Sequence, residues 1–340
     1  MFAREVNGSD VIKEALNHVV LVQIDCEKGE GPEIAKKYGV RGYPTFIAIN
    51  AAGETTDSTI GYGGAEAWAS FARSSAADRR TIAAKTAAYD EAPTAALAFS
   101  LANHASTSYD FEGAVDYFRV ARTRDPANAA EYTESILTNM YYGSYSEAFT
   151  LDEIEAEVEP AFHHADTDVA DKLNLASMIT DVAKSAGEPG RAAPYLQAAM
   201  AASADATDED LTGQRAHLAV DAALIVDENP EKALELMRGT MPEGWQEDPR
   251  RLNRFAWWCF ENRVDLEEAL ALALKGVELA PDDESRAQIL DTVAEICNAM
   301  GDCGKAVDFI KRAVELQPEN QGYQDQLTRF EQLLEEQRRG

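Results

Sequence analysis

Four cysteines, Cys26, Cys259, Cys297 and Cys303, are the strongest nucleophiles in the sequence. Thiol–disulfide chemistry needs two thiols held together, usually as Cys-x-x-Cys opening a helix, where the dipole and neighbouring groups lower a thiol pKa. No Cys-x-x-Cys occurs in this chain. Cys297 and Cys303 bracket a tight turn, Asn298 to Asp302, between two helical patterns. A disulfide is conceivable there if the side chains face each other, and two buried free thiols satisfy the same pattern. Cys26 follows a short apolar run with only His18 nearby in sequence, which reads as a half-buried structural cysteine. His163, His164, Asp166 and Asp168 crowd into six residues without the i, i+4 His pair of a helical metal site, so they read as a solvated helix end. Glu153, Glu155, Glu157 and Glu159 alternate around a helix without converging: a solvated face, not an acid–base pair. Trp257-Trp258-Cys259-Phe260 is dense enough in apolar groups to be core. Gly61-Tyr62-Gly63-Gly64 has neither the Walker lysine nor the dinucleotide spacing, and Asn7-Gly8-Ser9 is a glycosylation pattern common by chance.

The elements that would position these groups differ along the chain. Residues 2–17 carry a loose helical stripe, Phe2, Val6, Val11, Ile12, Ala15 and Leu16, with no capping side chain before it. Val19 to Asp25 is a nearly continuous apolar run that predicts a strand buried on both faces. Gly29, Gly31 and Pro32 open a short helix from Glu33 to Tyr38, which Gly39 ends. A second strand, Thr45 to Ile49, a turn at Asn50–Gly53, a polar strand near Thr55–Ile60 and a helix from about Ala65 to Lys85 complete the segment.

The run from Asp25 through Ile34-Ala35-Lys36-Lys37-Tyr38-Gly39-Val40-Arg41-Gly42-Tyr43-Pro44-Thr45-Phe46 to Gly53 resembles the second half of a thioredoxin fold, with Tyr38 to Phe46 similar to that family's cis-proline loop. The resemblance implies a cis bond at Pro44. It also implies that Tyr43 and Pro44, with Arg41 and Thr45 beside them, form a peptide-binding rim. Aligned backward from Pro44, the family's dithiol and first two strands would lie upstream of Met1, so 340 residues would be less than the whole protein, or the domain has lost its redox half. The two predicted apolar strands are not neighbours in the family's order. An incomplete sheet is therefore expected, with its open edge covered by the first helical repeat.

Residues 87–340 read as helical throughout and internally repetitive. Ala114-Val115-Asp116-Tyr117-Phe118 recurs 192 residues later as Ala306-Val307-Asp308-Phe309-Ile310, and Val277-Glu278-Leu279-Ala280-Pro281 recurs 37 later as Val314-Glu315-Leu316-Gln317-Pro318. Two helices per period, small residues at the crossings and proline closing each unit resemble tetratricopeptide repeats. The expected fold class is thus a partial α/β thioredoxin-like segment (1–86) followed by an all-α tetratricopeptide-like solenoid (87–340). About five hairpins and a capping helix, Gln321 to Gln337, would make up the solenoid.

The chain has 60 acidic and 31 basic residues, a net charge of −29. Residues 1–86 hold 11 acidic and 10 basic side chains; residues 87–340 hold 49 and 21. That balance offers no uniform basic footprint for nucleic acid or an anionic membrane, and 45% hydrophobic residues permit a real core. No apolar run approaches the length of a membrane span. The first residues do not read as a signal peptide. The chain as written reads as cytoplasmic, or exported if a leader precedes it. Two functions follow. The resemblance implies a thiol–disulfide oxidoreductase on a repeat scaffold, inactive as written for want of the dithiol. The alternative is a non-catalytic scaffold for a neutral or basic protein or peptide. Neither requires a cofactor. Oligomeric state is not set by the sequence.

Overall fold

Helix starts in this chain are written in aspartate more often than in any other residue. In a computed structural model, which describes Glu5 and residues 8–339, seven helices begin on an Asp N-cap whose carboxylate accepts backbone N–H groups: Asp110, Asp168, Asp208, Asp248, Asp265, Asp282 and Asp302. Each satisfies orphan donors and faces the positive end of the helix dipole. Part of the acidity of residues 87–340 is therefore structural. The chain divides into two compact units, Met1–Pro189 and Gly190–Gly340.

In the first unit, α1 (Asp10–Ala15) is capped by Ser9, whose hydroxyl accepts from Ile12 N. The helical stripe expected over 2–17 therefore restarts at Ser9, and its beginning, where no cap was expected, lies outside the described residues. Ile12 and Ala15, fully buried, pack on Trp68, Ala69 and Ala72 of α3 (Ala65–Ala77). α2 (Gly31–Lys37) and two strands, β1 (Thr45–Ile49) and β2 (Thr55–Ile60), lie between them. β1 and β2 pair antiparallel, Thr45 opposite Ile60 and Ile47 opposite Ser58, with an irregularity at Ala48/Ile49.

Two expectations need correction here, and a third goes without support. Val19–Asp25 is not a strand: among the described residues the sheet contains β1 and β2 alone. Val19 and Leu21 pack against the α1–α3 core, whereas Val20, Val22 and Ile24 stand 92%, 70% and 40% exposed. The run is apolar enough for a strand but has no neighbouring strand to ladder with. The described part of residues 1–86 is thus an antiparallel hairpin flanked by helices, and the wider α/β sheet of a thioredoxin half draws no support from it. Finally, the helix expected over 65–85 is two, α3 and α4 (Ile82–Glu91). The backbone is extended at Asp78, Arg80 pairs with that carboxylate, and the Thr81 hydroxyl caps α4.

Helical hairpins follow. α5 (Ala95–Thr107) and α6 (Phe111–Arg124) bury Ala98, Ala102, Ala105, Ala114 and Ala121. Side chains this small let helix axes approach closely. α7 (Ala129–Ser144) and α8 (Leu151–Phe162) form the next pair, and α9 (Val169–Ser185) closes the unit. β2 packs on α5. In the second unit, α10 (Ala193–Ala202) precedes the pairs α11 (Glu209–Ile225) with α12 (Pro230–Thr240), α13 (Pro249–Asn262) with α14 (Leu266–Leu279), and α15 (Asp283–Ala299) with α16 (Cys303–Leu316). α17 (Gln321–Arg339) packs on α16 through the fully buried Phe330. α14 and α16 start and end 37 residues apart, as the repeat in the sequence requires.

Candidate functional site

The loop between α2 and β1 presents the residues marked by the cis-proline-like motif. Val40 N donates to Ala35 O and Tyr38 Oη to Gly53 O, fixing the loop's entry. Thr45 Oγ1 donates to Gly42 O at 2.6 Å, and Gly61 N donates to Pro44 O at 2.8 Å, fixing its exit. The Tyr43–Pro44 peptide is cis. Gly42 is the close approach: a Cβ there would sit 2.9 Å from both Ile60 Cδ1 and Tyr109 Oη. With the loop seated this way, the Arg41 guanidinium lies over the Tyr109 ring, 5.7 Å from its centroid, and Tyr43 stands 65% exposed. Partial desolvation, with the Cys26 thiol and the Glu27 carboxylate beside it, raises the Tyr43 phenol above its ordinary value. Arg41, Tyr43, Pro44 and Thr45 thus share one anchored loop, and Tyr109, from the turn joining α5 to α6, joins them.

Behind this loop lies a buried polar network. Lys85 Nζ donates to Ser100 Oγ at 2.8 Å and pairs with Asp57 Oδ2; Ser100 Oγ donates to Asp57 Oδ1 at 3.1 Å; Ser58 Oγ and His104 Nδ1 lie 2.9 Å apart. Burial holds the Asp57 carboxyl above its usual range, with Lys85 and the hydroxyl pulling it back, and burial lowers His104. Every member is spoken for within the network, which joins β2 to α4 and α5.

The thiols do not assemble. All four cysteines are free, three of them buried. Cys303 Sγ donates weakly to Asn298 Oδ1 at 3.6 Å, and burial pushes the Cys297 thiol to about 11 and Cys259 to about 12. His163 pairs with Glu159 and His164 with Asp166, both on the surface; among the described residues no His, Cys, Asp or Glu group is placed to hold a metal ion. The glutamate row of α8 is not uniformly solvated, contrary to expectation. Glu157 is 13% exposed and pairs with Arg119 and Arg122 of α6, and these two cations outweigh burial to lower its carboxyl; Glu153 closes a capping box with Thr150.

Sequence reasoning missed the tyrosines of α7. Tyr145 Oη donates to Tyr141 Oη at 2.7 Å, and Tyr141 Oη donates to Asp181 Oδ2 of α9 at 3.1 Å. Tyr142 and Tyr145 meet the Tyr141 ring edge to face, with centroids 5.5 and 5.4 Å away, yet are themselves 55% and 64% exposed. The signal was available in part, since Tyr145, just past the end of α7, follows Tyr141 by four residues and Tyr142 by three, helical spacings that bring side chains together.

No protein-family model and no curated protein matches the sequence. Among solved structures, the chain is similar to YrrB, a TPR protein described as having an unusual peptide-binding site. That match has 17% identity over 72% of this chain and 98% of that one, with a TM-score of 0.34. It is similar to the Cut9–Hcn1 hetero-tetramer of the APC/C at 13% identity, 72% and 45% coverage, and a TM-score of 0.41. It is also similar to the C-terminal part of a TPR repeat-containing protein from Cytophaga hutchinsonii at 17% identity, 67% and 99% coverage, and a TM-score of 0.35. The tetratricopeptide-like character stands on the helix pairs themselves, with their small residues at the crossings and their 37-residue repeat. No helix among the described residues is long and apolar enough to cross a membrane.

Proposed function

We propose that this chain is a non-catalytic scaffold that holds a protein or peptide partner. Residues 1–86 contribute the Arg41–Thr45 loop, and residues 87–340 contribute the tetratricopeptide-like array. The observation that carries this reading is where apolar surface is left open. Of the eleven large apolar side chains most exposed among the described residues, nine lie in the first unit, including Tyr43, Tyr109, Tyr142 and Tyr145. Exposed apolar groups gathered in one part of a protein and held by fixed neighbours mark an interaction surface. The net charge of the array favours a neutral or basic partner, with association weakening as salt rises.

A thiol–disulfide activity draws no support from four separated thiols. The test is a pair of measurements on the full chain. Short peptides of varied composition are expected to bind, and binding should weaken in the Tyr43→Ala/Tyr109→Ala variant. Insulin reduction is expected to stay at background. Failure of every peptide to bind overturns the scaffold reading, and turnover that survives Cys26→Ser overturns the non-catalytic one.

A further inference from the structure

The tyrosines of α7 form a surface with a definite chemistry. Exposed aromatic rings normally wave between rotamers, and a partner must then bear the entropy of fixing them. Here the fixing is already done. Tyr145 is tied by its hydroxyl to Tyr141, Tyr141 is tied to Asp181, and the two flanking rings meet the central one edge to face. Burial, with the Tyr145 hydroxyl and Asp181 beside it, keeps the Tyr141 phenol protonated and therefore donating. Gly143 seats this part of α7: a Cβ there would stand 2.7 Å from the Phe149 ring and 3.1 Å from Phe111 Cβ.

Carboxylates stand on either side of the tyrosines. Glu147, two residues past Tyr145, and Asp181, which accepts from Tyr141, are both exposed, and α7 itself carries Glu131 and Glu134 further back and no lysine or arginine. The nearest arginines on α6, Arg119 and Arg122, are committed to Glu157. Aromatic faces with carboxylates beside them attract a planar cation, because the ring quadrupole and the carboxylates act in the same direction. The chain already makes such pairs internally, Arg41 over Tyr109 and Arg329 over Phe330 at 4.4 Å.

We propose that the end of α7, bearing Tyr142 and followed by Tyr145, docks an arginine-bearing basic segment of a partner protein, the guanidinium lying against a tyrosine ring and the flanking basic groups facing Glu147 and Asp181. This rests on the scaffold reading and assigns it a partner chemistry and a place.

The test uses the full chain and labelled short peptides in fluorescence anisotropy: an arginine-serine peptide, its glutamine-for-arginine counterpart, and a neutral proline-rich peptide. The arginine peptide is expected to bind about tenfold tighter than the glutamine one. Its binding should weaken as sodium chloride is raised and fall about tenfold in Tyr142→Ala/Tyr145→Ala. Tyr142→Phe/Tyr145→Phe, which keeps the rings, should retain most of the binding, and a thermal melt shows that each variant is folded. Equal binding of the glutamine or proline-rich peptide overturns the proposal, as does an alanine variant that binds like the parent; both leave the scaffold reading standing. If none of the three peptides binds the parent chain, the proposal falls, and if a broader peptide set fails as well, the scaffold reading falls with it.

Discussion

The ammonium of Lys85 lies 3.3 Å from Oδ2 of Asp57, with the two side chains only 1% and 5% exposed. Charges taken this far from water persist only when paired and hydrogen-bonded, and here Ser100 bridges the two. The pair joins β2 to α4, and Ser100 adds α5, so the β-hairpin is fastened to the first helices by charge as well as by packing. Lys85→Met leaves Asp57 buried without its cation and is expected to cost roughly 3–5 kcal/mol. Removing both charges in Lys85→Met/Asp57→Leu should cost markedly less than the sum of the single variants, as measured by denaturant titration.

The thiols give a second expectation. Cys26 is half-buried, and the other three are buried, with Cys259 and Cys297 pushed up by desolvation. A thiol-specific chromogen at mild pH should modify Cys26 first in the folded chain and all four after denaturation without reductant. A denatured titre of two would establish a Cys297–Cys303 disulfide instead.

Asp291 supplies a pH dependence. It lines a cavity of about 410 Å³ with Tyr323, Asp325, Gln326 and Arg329, and burial followed by the nearby Glu295 raises its carboxyl from 3.8 to about 6. The folded chain therefore keeps this proton where the unfolded chain has released it. This group's contribution strengthens as pH falls from about 6 to about 4 and is unfavourable at neutrality. Asp291→Asn is expected to stabilise the protein by about 1–2 kcal/mol at pH 7, after allowance for its residual exposure, and by nothing measurable below about pH 4. Melting temperature against pH checks both the sign and the window.

Gly143→Ala sets two effects against each other. Alanine in a helix gains up to about 1 kcal/mol over glycine, but its methyl would meet the Phe149 ring at 2.7 Å. Overpacking of that kind costs about 1–3 kcal/mol, so net destabilisation is expected by calorimetry.

How much of this was legible beforehand differs by element. The hairpins of the second unit were, because small residues and prolines recur at a fixed offset, and α14 and α16 fall on that offset. The Arg41–Thr45 loop was located by its motif, but Tyr109 beneath it comes from a distant turn that no local pattern links to it. The Lys85–Asp57 pair was hidden because a polar strand and a helical lysine both look like surface until their partner is known. Val19–Asp25 misled for the opposite reason: apolar residues record a tendency to be buried, not whether a strand stands alongside. The Tyr141–Asp181 tether needed two helices to be placed side by side.

That same run, with Val20 and Val22 turned outward, bears on how the purified chain behaves. An extended apolar stretch outside any ladder is a template for whatever strand meets it, including its own copy. Such encounters multiply with concentration. Repulsion from a charge of −29 opposes such encounters, but at physiological salt it acts only within about 8 Å. The outward valines thus work against the sixty carboxylates, and a single lysine in place of Val22 should raise the attainable concentration without altering the melting temperature.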